Sequence, residues 1–274
     1  TPPRWAVRSR MKIFTSNTKG TGGFLAGLPA FAAVAALLVI WKIAAAAVDA
    51  DIILPDPLLT LKGFVVLVGK TDFWRSVGIS AWRVGAGFAL SLAAGLAVGI
   101  PAGIHGFIRK AFNPVLSIIR TTPIMSIILI ALLWFKTGTV PIFSAFLIGF
   151  PVVVQNIIVG IQQTDPKLLE MGRAYEFTRY RLLTAVYIPS VIPYLVSGAQ
   201  TTLGLTWKVV VAAEVLSLPQ TGIGSKMQYA QMSLETAEVF AWTAVAIVSA
   251  ALSHRLLSAL LKFSPWRHGG ADQV

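Results

Sequence analysis

An all-α membrane protein with about six transmembrane helices is the fold class this sequence predicts, on three observations. Charged residues make up 12% of the chain and hydrophobic residues 55%, whereas an ordinary soluble domain carries about 25% charge. That is too little charge to coat a soluble surface of 274 residues, and the mean hydropathy of +0.74 agrees. The apolar residues are gathered in blocks of roughly 20, the length that spans a bilayer as a helix. Basic residues, finally, concentrate in alternate connecting segments, as they do on the cytoplasmic side of membrane proteins.

The first block covers residues 24–48, after Arg4, Arg8, Arg10, Lys12 and Lys19. At about 25 residues it exceeds the 7–15 of a signal-peptide core, so an uncleaved anchor helix is expected. The second block, 79–104, carries Gly87, Ser91, Gly95, Gly99 and Gly103 at four-residue intervals. This small-residue stripe lets another backbone approach closely, as a moving seam or as static packing. The third and fourth blocks, 112–134 and 139–162, are separated by Phe135-Lys136-Thr137-Gly138, a tight hairpin. The fifth, 186–216, is interrupted by Lys208 and Glu214, and the sixth covers 238–262. The expected organisation is an N-terminal segment 1–23, one transmembrane domain 24–262 and a tail 263–274. Arg4 to Lys19, Arg109-Lys110, Lys167 to Arg181 and Lys262 to Arg267 fall on one side, so both termini are expected in the cytoplasm.

A net charge of +12 is explained by those loops. The chain has no run of five basic residues and no nucleic-acid-binding motif. Cysteine is absent, which excludes disulfides and thiolate chemistry. His105, His254 and His268 have no metal-site spacing. The stretch GFVVLVGKT at 63–71 imitates a phosphate-binding loop. It has five residues between Gly63 and Gly69 where that motif needs four. No nucleophile–base set or GxSxG occurs, so the chain is not expected to be an enzyme or to bind ATP itself.

Residues 166–183, PKLLEMGRAYEFTRYRLL, form the one strongly charged stretch. Asp165-Pro166 is a helix start, with Asp as N-cap and Pro in the first turn. Leu168, Met171, Tyr175 and Leu182 give an apolar side. Glu170, Arg173, Glu176 and Arg179 are spaced to pair at i,i+3, at about 0.2–0.5 kcal/mol per pair. An amphipathic helix is expected, or two joined by a bend near Glu176-Phe177-Thr178. A helix lying on lipid headgroups is the plain alternative. The acidic residues on its polar face, and its direct run into Pro189 and a membrane helix, favour a protein partner.

At these residues the sequence resembles the permease subunits of bacterial ABC importers. That family carries a cytoplasmic-loop signature that begins Glu-Ala-Ala, has Gly six residues after the Glu, and closes on Leu-Pro. Glu170 takes the Glu position, Val186 the apolar one and Ile188-Pro189 the Leu-Pro, with the spacing kept. Met171 and Gly172 replace the alanines, and Glu176 replaces the glycine that eases the bend. SVGISAWRVGAGFALSLAAGLAVGIPAGI, NPVLSIIRTTPIMSIILIALLWFKTG and TWKVVVAAEVLSLPQTGIGSKM are similar to the nitrate, taurine, aliphatic-sulfonate and bicarbonate branch. The resemblance implies a type I importer permease fold in the bacterial inner membrane. Its implied partners are a second permease copy, two ATP-binding cassette subunits that hold ATP and Mg, and an extracytoplasmic solute-binding protein. The loop, about 163–185, would be a coupling helix. Leu169, Tyr175 and Phe177 would seat in an ATPase groove, with Glu170, Gly172, Arg173, Ala174, Glu176 and Pro189 completing the joint. The implied cargo is a small solute such as a sulfonate, taurine, nitrate or bicarbonate.

Ionisable residues inside spans are costly and need partners or water. Arg83 is expected to snorkel to the interface. Arg120, before Thr121-Thr122-Pro123, and Trp207, Lys208 and Glu214 are the candidates for a translocation pathway. Lys208 and Glu214 lie about 120° apart around a helix, so they do not pair within it. The rival reading is an autonomous ion-coupled carrier or channel, for which Glu214 is almost the sole relay carboxylate. An intramembrane enzyme lacks any catalytic constellation.

Overall fold

The computed structural model describes residues 28–262. The N-terminal segment with Arg4 to Lys19, and the tail with His268, lie outside the described residues. All regular elements among the described residues are helical: α1 Leu28–Val48, α2 Pro57–Val68, α3 Thr71–Ile104, α4 Gly106–Thr121, α5 Ile124–Trp134, α6 Val140–Gln162, α7 Pro166–Ala174, α8 Arg179–Leu182, α9 Ile188–Ser217, α10 Ile223–Met232 and α11 Thr236–Lys262. Helices α1, α3, α6, α9 and α11 are long and apolar enough to cross a membrane, and α4 with α5 forms a bent apolar pair that brings the number to six if the pair is one crossing.

That break corrects the expectation of one continuous span over 112–134. Helices α4 and α5 meet at 99°. Pro123 has no N–H to continue the ladder and pushes Thr122 into an extended backbone, ψ 127°. The Thr122 hydroxyl donates to the Ile118 carbonyl at 2.7 Å, and that of Thr121 to the Ser117 carbonyl at 3.0 Å. The stretch before the second span is also more ordered than expected. Residues 57–68 form α2, capped by the Asp56 carboxylate accepting from the Leu58 N–H at 2.8 Å. Helix α3 then begins at Thr71 instead of 79, and the Trp74 indole closes the corner on the Val68 carbonyl at 3.0 Å.

Helix α6 lies at the centre, between α3 and α9. The small-residue stripe of α3 is its seam. A Cβ at Gly87 would sit 2.7 Å from that of Ala145, and one at Gly99 2.9 Å from that of Ile157. At Gly95 it would collide with Val153. Ser91 donates across the seam to the Phe146 carbonyl at 3.1 Å. The other face of α6 meets α9 as closely: Gly198 leaves room for Asn156, and Gly160 for Tyr194. Without large side chains between them, these backbones lie near enough for dispersion contacts to hold helices that gain no hydrophobic force from lipid. Outside this slab, Phe73 of α3 and Trp242 of α11 stack with centroids 5.2 Å apart in a core shared with Leu67, Trp207 and Ile223. Helix α1 is largely exposed and is held at its far end, where Trp41 donates to the Pro55 carbonyl at 3.1 Å and stacks on Phe240.

Candidate functional site

Two polar constructions stand out in this apolar slab. The first joins α3, α9 and α10. Arg83 Nη1 donates to Glu214 Oε1 at 2.6 Å and to the Thr221 carbonyl at 2.7 Å. Ser80 Oγ donates to the Glu214 carboxylate at 2.8 Å and accepts from the Ile223 N–H at 2.9 Å. The Gly224 N–H donates to Glu214 Oε2 at 2.9 Å. Leu218 ends α9 in the left-handed region, φ 44°, which swings the chain back over the helix end. Gly222, at φ 157°, brings the backbone so near that a Cβ would lie 2.6 Å from the Glu214 carboxyl carbon.

Glu214 is fully buried and Arg83 is 7% exposed. Arg83 therefore does not snorkel, and Glu214, expected on the pathway, faces no open surface of the chain. Trp207 is also buried, at 3%, with no acceptor for its indole N–H among the described residues. The partners are 131 positions apart in sequence. The available signal was that a carboxylate deep in a span demands a cation, and Arg83 was the candidate inside another span. Arg120 donates to the Pro151 carbonyl at 3.1 Å and to Gln155 at 3.3 Å. Lys208 is exposed and forms no ion pair among the described residues.

The second construction is the elbow between α6 and α9. Asp165 accepts from the Lys167 N–H at 2.8 Å and Pro166 opens α7, the start its sequence predicts. The chain bends at Tyr175–Thr178, with Glu176 at φ 49°. Glu176 thus holds the left-handed conformation at the position where the resemblance led one to expect glycine. The fold-back closes on Gly172: the Phe177 N–H donates to its carbonyl at 2.8 Å, and a Cβ there would stand 2.7 Å from Leu182 Cδ1, the far end of a side chain that can turn aside. Phe177 is half-buried beneath the Arg181 guanidinium, 4.6 Å from its ring centroid. It braces the elbow, whereas Tyr175 stands 73% exposed. Leu168, Met171 and Tyr180 are also exposed, Leu169 is half-buried, and Glu170, Arg173 and Ala174 face outward. Glu170 and Arg173 do not pair, so charge pairing does not hold α7 together.

Beyond the bend, α8 continues through a wider π turn at Leu183–Tyr187 into α9. Pro189 explains the widening. It has no N–H for the Ala185 carbonyl, and the Ile188 N–H reaches back to Leu183 instead. The continuous run Tyr180–Ser217 is 38 residues, about 57 Å long. One rod links the elbow to the Arg83–Glu214 clasp. The phosphate-loop imitation is void, because Gly63 to Val68 lie inside α2. His105 sits exposed between α3 and α4, His254 exposed on α11, and no metal-binding group occurs among the described residues.

Residues 87–264 match the model of the binding-protein-dependent transport system inner membrane component family. The chain belongs to this family. It is similar to the putative aliphatic sulfonates transport permease protein SsuC of Bacillus subtilis, 29% identical over 85% of this chain and 86% of that one. The taurine transport system permease protein TauC of Escherichia coli is 26% identical over the same shares. The nitrate import permease protein NrtB of Leptolyngbya laminosa is 30% identical over 70% and 67%. Among solved structures, an amino acid ABC transporter with histidines matches 73% of this chain and 97% of that one, at TM-score 0.60 and 16% identity. The methionine transporter MetNI, in an inward-facing conformation, matches 70% and 95% at TM-score 0.54 and 16% identity. These likenesses establish the type I importer permease fold.

Proposed function

We propose that this chain is one membrane half of an ATP-driven importer, paired with a second permease copy, two ATP-binding cassette subunits and an extracytoplasmic solute-binding protein. The observation that carries this reading is the elbow. An exposed apolar tip built around Tyr175, Leu168 and Met171 projects from the bundle and continues as one rod into α9. A tip of that kind suits a groove in a cytoplasmic partner, and in this reading both termini lie on the cytoplasmic side of the inner membrane. Residues 24–262 then act as a single transmembrane domain.

ATP binding would close the two ATPase subunits and draw the elbows together. The stroke would pass along α8 and α9 and tilt the α3–α6–α9 slab from inward-open to outward-open. Hydrolysis, with ATP and Mg held entirely by the partner subunits, would reset it. The solute is a small organic or inorganic anion, in line with the sulfonates, taurine and nitrate in the relatives' names. The autonomous-carrier reading loses support because Glu214, its relay candidate, is tied to Arg83.

Purification in mild detergent tests the proposal. The chain is expected to retain an ATPase subunit and to import solute in liposomes only when ATPase and binding protein are both supplied. Uptake by this chain alone would overturn it.

A further inference from the structure

The rotational phase of α9 is fixed by what it buries. Gly198, Thr202, Thr206, Trp207, Val210 and Glu214 all face into the protomer. Ser197, Thr201 and Lys208 are left exposed, with Gly204 half-exposed between them. Steps of four, three and four residues put these on one stripe of the helix. The stripe carries two hydroxyls, a patch of bare backbone and an ammonium, in a run whose mean hydropathy is otherwise 1.6. Nothing lies within 4 Å of where a Gly204 Cβ would be, so the stripe is open there.

Lys208 is nine residues from the end of α9, about 14 Å along the axis, farther than a lysine stem extends toward an interface. An ammonium at such depth must face water or an anion. The carboxylate of the same helix does not compensate it, because Glu214 is closed inside the protomer and neutralised by Arg83. The clasp thus leaves the exposed face of α9 with an unbalanced positive charge.

We propose that Ser197, Thr201, Gly204 and Lys208 form the α9 wall of a water-filled conduit, and that Lys208 gives this wall the positive field that draws a small anion through. The proposal rests on the permease reading above and revises the expected pathway set. Trp207 and Glu214 leave it, and Ser197, Thr201 and Gly204 enter.

The sequence contains no cysteine, so a Thr201→Cys variant in the full transporter complex offers one defined thiol on this chain. In membrane vesicles it is reacted with two impermeant methanethiosulfonates, one bearing a sulfonate and one a trimethylammonium. Each rate is divided by that of the same reagent with free cysteine. Lys208 lies one stripe period away, about 10 Å, and at low ionic strength its charge, even at the dielectric constant of water, favours the anionic reagent by about fourfold. Lys208→Gln is expected to bring the ratio to about one and Lys208→Arg to preserve it. Leu252→Cys, on the exposed face of α11, is expected to stay unlabelled. Equal normalised rates at Thr201→Cys would overturn the field while leaving the conduit. No labelling in any nucleotide state, in a complex that still hydrolyses ATP, would overturn the conduit wall and leave the permease reading standing. Failure of the ATPase to associate at all would be the failure of that reading.

Discussion

The two ends of the rod Arg179–Ser217 are built in opposite ways. At its Ser217 end, four hydrogen bonds converge on Glu214 and Ser80 and a further one runs from Arg83 to the Thr221 carbonyl, the charged pair is buried, and a glycine is required for the backbone to fit. At its Arg179 end, the Phe177 N–H bond to the Gly172 carbonyl and one stacked guanidinium support a bend that leaves apolar side chains in the open. One end is fastened to the bundle and the other leaves apolar side chains uncovered. A lever needs this asymmetry, since a stroke received at a free end moves the bundle only if the far end cannot slip.

The sharpest way to break the comparison is at the clasp. Arg83→Met leaves a buried carboxylate without its cation and is expected to cost about 3–5 kcal/mol, read from denaturant unfolding in detergent. Arg83→Met with Glu214→Met is expected to recover most of that loss, because both charges go together. A double variant as unstable as the single would mean that the charge pair is not what holds the clasp.

The seam comes next. Gly99→Ala places a methyl 2.9 Å from the Ile157 Cβ, an atom fixed to its backbone, and is expected to cost about 1–3 kcal/mol. Gly172→Ala meets the far end of Leu182, which can rotate away, so its cost should fall below that range. Gly78→Ala, with nothing within 4 Å, is expected to be neutral or slightly stabilising, by up to about 1 kcal/mol. Equal losses at Gly99 and Gly78 in the same assay would show that close packing does not set the seam.

A smaller change should appear at the elbow. Glu176 holds φ 49°, a conformation that costs a residue with a Cβ roughly 1–2 kcal/mol. Glu176→Gly is expected to stabilise by up to about 1 kcal/mol after the entropy of glycine is deducted, seen as slower hydrogen exchange at residues 172–178. Faster exchange would mean that the glutamate side chain itself supports the bend.

Much of this was legible in the sequence where the signal is local. The Asp165-Pro166 start, the bend at Glu176 and the proline at 189 are written in adjacent residues, and the structure has each of them. The stripe from Gly87 to Gly103 announced a seam, because helical period alone aligns those positions. The identity of the facing helix was not legible, since α6 supplies Ala145, Val153 and Ile157, residues any buried helix carries. The clasp was half legible: a carboxylate deep in a span demands a cation, but its partners lie on different helices, and the sequence alone does not say which face of α9 is buried. Helix α2 was missed because its 12 residues fall short of a span, although Asp56-Pro57 gave the same start signal as Asp165-Pro166. The break at Pro123 was marked by Thr121-Thr122-Pro123, but apolar length alone runs across it.

A nucleotide-hydrolysing partner that grips the elbow, as proposed, must come close to Tyr175. Tyr175→Cys, on a chain without other cysteines, is carried in the complete transporter and treated with a short thiol cross-linker through the ATP cycle. A cross-link from residue 175 to the ATPase subunit is expected, with a yield that changes between nucleotide states. A complex that imports solute while never yielding that cross-link in any state would contradict it.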